Sequence, residues 1–205
     1  MYAELLIAAS FALAAYQDVK DRAVSDLVWI PAAAAVALTL YSFFVAGGAG
    51  LGFYLVKLVL IGGLALGFAF FGGIGQADGI AIAVVASDPY PLSPLAPLIG
   101  AAVVAAAHIS YEFARGNAGR RKTVPMEQFL REQRWIPKAI VSGGVRTEVS
   151  RDVNVARDEV EASGKSDAAV EVTYGVPTVA YLAIGFVAYV AYMLLFNYAA
   201  FAALP

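Results

Sequence analysis

Only three of the fourteen Lys and Arg residues of this chain fall within its first 111 residues, and the other eleven lie between residues 112 and 171. A chain that is 60% hydrophobic and 15% charged, with a mean hydropathy of +0.71, cannot divide its charge in this way around one water-soluble core. The long uncharged stretches belong in a bilayer and the charged block belongs in solvent. The net charge of -2 adds little to this. The lack of cysteine excludes disulfides, thiolate nucleophiles and Cys-ligated zinc, and a single histidine excludes a His-cluster metal centre. No metal and no cofactor are expected, and no nucleic acid partner.

The apolar stretches read as six membrane-spanning helices, at about 2–17, 27–45, 52–71, 79–90, 94–111 and 175–196. The first lacks the positive leading region of a secretory signal and carries Glu4 instead, while Lys20 and Arg22 follow it. That order places the N-terminus outside and the Asp18 end in the cytoplasm. Gly47-Gly48-Ala49-Gly50 turns the chain outside, and Asp88-Pro89-Tyr90-Pro91 breaks the short fourth helix. With the basic segment cytoplasmic, parity requires residues 79–111 to cross twice, which puts both termini outside. Lys57 is expected to snorkel to the outer interface, His108 to pack between helices, and Trp29 and Tyr41 to serve as interface anchors or packing residues.

The fold class expected is therefore an all-α polytopic membrane protein, N-out and C-out, with a small α+β cytoplasmic insert between helices five and six. Residues 1–111 form the membrane domain, 112–172 the insert, and 173–205 the last helix and C-terminus. Within the insert a helix is expected around Met126 to Arg134. Strands are expected where Val145, Thr147 and Val149 alternate with polar residues and over Ala169 to Tyr174. The charges of the insert read mostly as a solvated surface, and the cluster Arg120-Arg121-Lys122 also suits anionic lipid headgroups.

Two acids stand at the ends of these helices, Asp18 and Asp78. A carboxylate at the edge of a bilayer is costly to keep, and two on separate helices opening to one face can share a proton. One then activates water while the other polarises a peptide carbonyl. Gly72, Gly73 and Gly75 leave room for an extended peptide beside Asp78. Gly75, Gln76 and Ala77 are thus candidate substrate contacts, and Asp21 and Asp26 are candidates for attracting a basic peptide. Each acid also has a plainer reading. Asp18 alone suits a solvated interfacial residue, Asp78 a helix cap, and Asp21 and Asp26 surface or capping residues.

Asp18-Val19-Lys20-Asp21-Arg22-Ala23-Val24-Ser25-Asp26-Leu27 resembles the first-aspartate motif of archaeal preflagellin peptidases and type IV prepilin peptidases. Gly75-Gln76-Ala77-Asp78 resembles their second, GxGD-type motif, and Tyr174-Gly175-Val176-Pro177-Thr178 is similar to the entrance to their final helix. Ala77 where bacterial enzymes usually have Gly, and Ile80 where Lys is frequent, point toward the archaeal subgroup. The resemblance implies a catalytic pair, Asp18 and Asp78, in a cell-membrane aspartyl endopeptidase whose active site faces the cytoplasm. Its partners would be membrane lipid and archaellin or pilin-like precursors bearing a short basic leader and an apolar helix. No tetracysteine zinc segment is present, which implies cleavage without N-methylation. The rival readings are a proton- or ion-coupled transporter that uses the acids as a relay, and a membrane scaffold whose active part is the insert.

Overall fold

The computed structural model describes residues 2–72, 74–90, 93–150, 153–163 and 168–202. Gly73, Pro91 and the other remaining positions lie outside them. The chain divides into two compact units.

The first unit comprises residues 1–18, 24–105 and 178–205 and is helical. α1 spans Tyr2–Asp21. A single 3-10 turn, Asp26–Trp29, starts after Ser25, whose hydroxyl accepts from the Leu27 amide, and runs into α2, Ile30–Val45. Pro31 in the first turn of α2 has no N–H to leave unsatisfied. The next amide, Ala32, donates to the Ser10 hydroxyl of α1 at 2.9 Å, so a buried serine caps its neighbour. The following stretch is continuous in space but not in winding. α3, Leu51–Lys57, passes through a π-helical segment, Leu58–Gly63, into α4, Leu64–Phe70. α5 is Gln76–Ala86, α6 is Leu95–Ala114 and α9 is Thr178–Ala202.

Among the described residues, four helical stretches are long and apolar enough to cross a membrane: Asp26–Val45, Leu51–Phe70, Leu95–Ala114 and Thr178–Phe196. This is fewer than the six expected. α1 has the length, but Glu4, Asp18, Lys20 and Asp21 dilute its apolarity, and the 11-residue α5 is too short for a hydrocarbon core of about 30 Å.

Small residues let α5 sit hard against its neighbours. A methyl on Gly79 would come within 2.6 Å of the Ala69 Cβ and 3.0 Å of the Ala65 carbonyl oxygen, and one on Gly62 would touch Ala83 at 3.4 Å. This is the small-residue packing by which helices associate without a hydrophobic driving force. α6 and α9 approach still more closely. A Cβ on Gly185 would lie 2.2 Å from the Pro97 carbonyl oxygen and 2.6 Å from the Ala101 nitrogen. Around these contacts the core gathers Ile7, Phe11, Trp29, Val85 and Phe186, with Phe11 edge-on to Trp29 at 5.9 Å. Trp29 is thus a core residue.

Lys57 is not at an interface. It is buried, and its ammonium group donates to the backbone carbonyls of Asp88 and, at 2.9 Å, Tyr90. Tyr90 N–H in turn donates to the Asp88 carboxylate at 2.9 Å. The turn that ends α5 is therefore tied to α3 by a buried charge.

The second unit comprises residues 19–23 and 106–177. Its centre is an antiparallel sheet in the order β1-β4-β2-β3, built from β1 (Lys122–Pro125), β2 (Trp135–Ser142), β3 (Val145–Glu148) and β4 (Ala169–Tyr174). The helices of this unit are α7, Met126–Arg131, which stops three residues short of its expected end, and α8, Val153–Ala162. Period-2 alternation gives one sheet face to the core, where Val124, Phe129, Trp135, Val160, Val170 and Val172 are buried together. β3 and β4 match the expected strands, whereas β1, β2 and α8 were not anticipated.

On the opposite side of β4, Glu171 accepts from Arg146 at 2.8 Å and Arg121 at 2.9 Å. The Arg146 and Arg121 guanidinium groups hold its carboxyl below the ordinary value of 4.5. A group whose folded value is depressed stabilises the fold fully above its unfolded value and loses that contribution as pH falls through the folded one. Glu171→Gln should therefore flatten the decline in stability of this unit below about pH 4.5. Trp135 emission in a Trp29→Phe background, followed through denaturant titrations at pH 3 to 7, measures it.

Candidate active site

Asp18 and Asp78 both belong to the first unit, and the fold brings them within electrostatic reach of each other. They arrive by different routes. Asp18 lies in the last turn of α1 and is buried, with 7% of its surface exposed. Its Oδ2 accepts the backbone N–H of Ala180 in the first turn of α9 at 3.0 Å. Asp78 sits in the first turn of α5, where Gly75 is the N-cap in extended conformation. The Gly75 amide is in hydrogen-bonding reach of the Asp78 carboxylate, the backward half of a capping box. The candidate acid is thus also a capping side chain, and α5 begins at Gln76 rather than after Asp78.

The glycine run around Asp78 has a local reason. A Cβ on Gly75 would lie 2.9 Å from Asp78 Oδ2, closer than real Cβ contacts allow. Gly72 adopts a φ of 75°, the left-handed region that favours glycine. Gly73 lies outside the described residues. Because the Gly75 φ is -62°, alanine is conformationally admissible there, and only the carboxylate must move. Gly75→Ala is expected to leave folding intact and slow any reaction at Asp78 by roughly 10- to 100-fold, the scale of an ångström-sized misplacement. Single-turnover rates on matched amounts of folded protein test this.

The other candidates are placed as follows. Gln76 is exposed on the first turn of α5, and Ala77 packs against the apolar core. Asp26 is exposed at the start of the 3-10 turn. Asp21 belongs to the second unit, exposed and within electrostatic reach of Arg157. In that unit His108 lies 3.5 Å from the Tyr174 hydroxyl and 3.7 Å from Glu112, and burial pushes the Tyr174 phenol up.

Sequence reasoning missed two features of the first unit. One is the Ala180 amide, a backbone donor to which residue identity gives no clue. The other is a second buried polar centre, where Glu4, Lys57 and Asp88 are all at most 7% exposed. Its signal was present, in a lysine inside an apolar span and an acid beside a helix-breaking proline. A cavity of about 800 Å³ opens beside Glu4, among Leu6, Leu38, Thr39, Phe43 and Pro89, and includes neither Asp18 nor Asp78. Among the described residues, no group of three or more His, Cys, Asp or Glu is arranged to hold a metal. Compared with protein-family models, curated proteins and solved structures, the chain matches none of them.

Proposed function

We propose that the chain is a membrane aspartyl endopeptidase that removes short basic leaders from archaellin or pilin-like precursors at the cytoplasmic membrane face. The observation that carries the reading is the nearness of Asp18 and Asp78, two acids 60 positions apart on different helices, within electrostatic reach in a largely apolar unit. Two carboxylates so placed cannot both ionise without cost, so they hold one proton between them. The ionised acid takes a proton from water as its oxygen attacks the scissile carbonyl, and the protonated acid gives its proton to the carbonyl oxygen. Collapse of the resulting diol returns a proton to the departing amine, so that water is added across the C–N bond and the dyad ends with one proton.

In this reading the chain crosses the cell membrane six times with both termini outside, α1 and the short α5 counting as spans. α5 needs no full bilayer thickness, because protein surrounds it and backbone at membrane depth is tolerated where protein covers it. The precursor's apolar segment lies against the helices while its leader stays in the cytoplasm, drawn by Asp26 and Asp21. Extended substrate backbone passes beside Gly75, Gln76 and Ala77, where the lack of a side chain at Gly75 admits it.

A proton relay draws on one observation, the buried Asp88 with Lys57 and Glu4 near it. The two readings separate in one assay. Membranes containing the chain are incubated with a panel of archaellin and pilin precursors, with Asp18→Asn and Asp78→Asn as controls. A relay leaves every precursor intact, and a peptidase shortens at least one of them in a manner that requires both acids.

A further inference from the structure

Asp18 occupies an unfavourable place on its own helix. α1 ends at Asp21, so the carboxylate sits in the last turn, where unsatisfied carbonyls concentrate partial negative charge. Asp78 has the opposite situation, in the first turn of α5 among free amides. The two members of the dyad therefore differ in what their own helices supply, and something else must hold Asp18.

The first turn of α9 does so. Pro177 cannot continue a helix backward, so α9 starts at Thr178 and leaves its first amides without helical partners. Val179, Ala180 and Tyr181 are all at most 6% exposed, which keeps bulk water from these amides. The Ala180 N–H is satisfied by Asp18 Oδ2 at 3.0 Å, across 162 positions of sequence. In effect Asp18 acts as a capping residue supplied to α9 by another helix, and the positive end of α9 offsets the negative end of α1.

We infer that the Ala180 backbone N–H, presented by the first turn of α9, is a positioning group of the active site that orients the Asp18 carboxylate for reaction. The inference rests on the peptidase reading. It assigns a role to a backbone group that only the docking of α9 can deliver. α9 is thereby required for catalysis as well as for packing.

The test removes the donor from the first turn of α9, where proline is tolerated. In Ala180→Pro the amide is lost at the third helical position, where the ring meets no preceding helical carbonyl, since the residue four before it lies ahead of the helix. Thr178→Pro puts the same ring at the first helical position and keeps the Ala180 amide. Full-length protein in membranes is assayed for kcat and KM on a precursor. The expected result is a fall in kcat of roughly 10- to 100-fold for Ala180→Pro with KM unchanged, the scale of one lost hydrogen bond to a charged group. Thr178→Pro stays near wild type. Wild-type kcat in Ala180→Pro overturns the inference.

A second measurement covers the case in which Ala180→Pro does not fold. The amide proton resonance of Ala180 should move in Asp18→Ala and stay in place in Asp78→Ala, and failure to move in Asp18→Ala also overturns the inference. If wild type cleaves no precursor while the resonance does move, the peptidase reading falls and takes the catalytic role with it, leaving only the contact.

Discussion

Asp18→Asn and Asp78→Asn are each expected to lower the rate of precursor cleavage by at least about 10³-fold, while both variants insert and fold as wild type does. Asparagine is the right probe because its shape is nearly that of aspartate. At position 18 the amide oxygen still accepts the Ala180 N–H, so the contact between α1 and α9 survives. What is lost is the ability to take or give a proton, on which both halves of the proposed reaction depend. The two variants should be about equally inactive and the double variant little worse, because groups that act as a unit are not additive. Gel-shift assays of cleavage, normalised to folded protein by size-exclusion chromatography, measure the loss. Cleavage at more than a tenth of the wild-type rate in either variant removes that acid from the mechanism.

Gly185→Ala has the second large effect, on stability rather than chemistry. The added methyl would stand 2.2 Å from the Pro97 carbonyl oxygen and 2.6 Å from the Ala101 nitrogen, both backbone atoms that no rotamer change can move aside. Overpacking costs about 1 to 3 kcal/mol when side chains can yield. Here α6 and α9 must separate, so a loss of about 3 kcal/mol or more is expected. Gly67→Ala is the matched control, with nothing within 4 Å of the new methyl. It should be neutral or gain up to about 1 kcal/mol from helix propensity. Thermal unfolding in detergent, compared between the two variants, gives the difference. Since α9 also carries Ala180, residual folded Gly185→Ala protein should be slow as well as unstable.

Four of the six expected spans were readable as long apolar helices, because twenty apolar residues in a row leave a chain few alternatives, and Leu51–Phe70 lies within one residue of the expected 52–71. Their internal features were not readable. The π-helical segment at Leu58–Gly63 leaves no trace in hydropathy, and Lys57 resembles a snorkelling lysine until the carbonyls of Asp88 and Tyr90 are found beside it. In the second unit β2 escaped notice because Pro137 argues against a strand between two partners. Its register with β4 shifts between Pro137 and Ala139, and that irregularity is where a residue without an N–H is tolerated. For the candidate site, the acids could be chosen from the sequence because charge is rare in apolar segments. Their nearness depends on tertiary packing, and the donor to Asp18 is a backbone atom.

The tie between Lys57 and the turn after α5 gives that helix a mechanical character. α5 is fixed at its Ala86 end by a buried ammonium group, and Asp78 rides near the other end of an 11-residue rod about 16 Å long. Rotation about the fixed end is magnified along the rod, so a tilt of about 5° displaces Asp78, about 12 Å from that end, by about 1 Å, a distance that can cost an enzyme about 10²-fold. On the peptidase reading, Lys57 is thus the fulcrum of a lever whose working tip is Asp78, an acid it never touches.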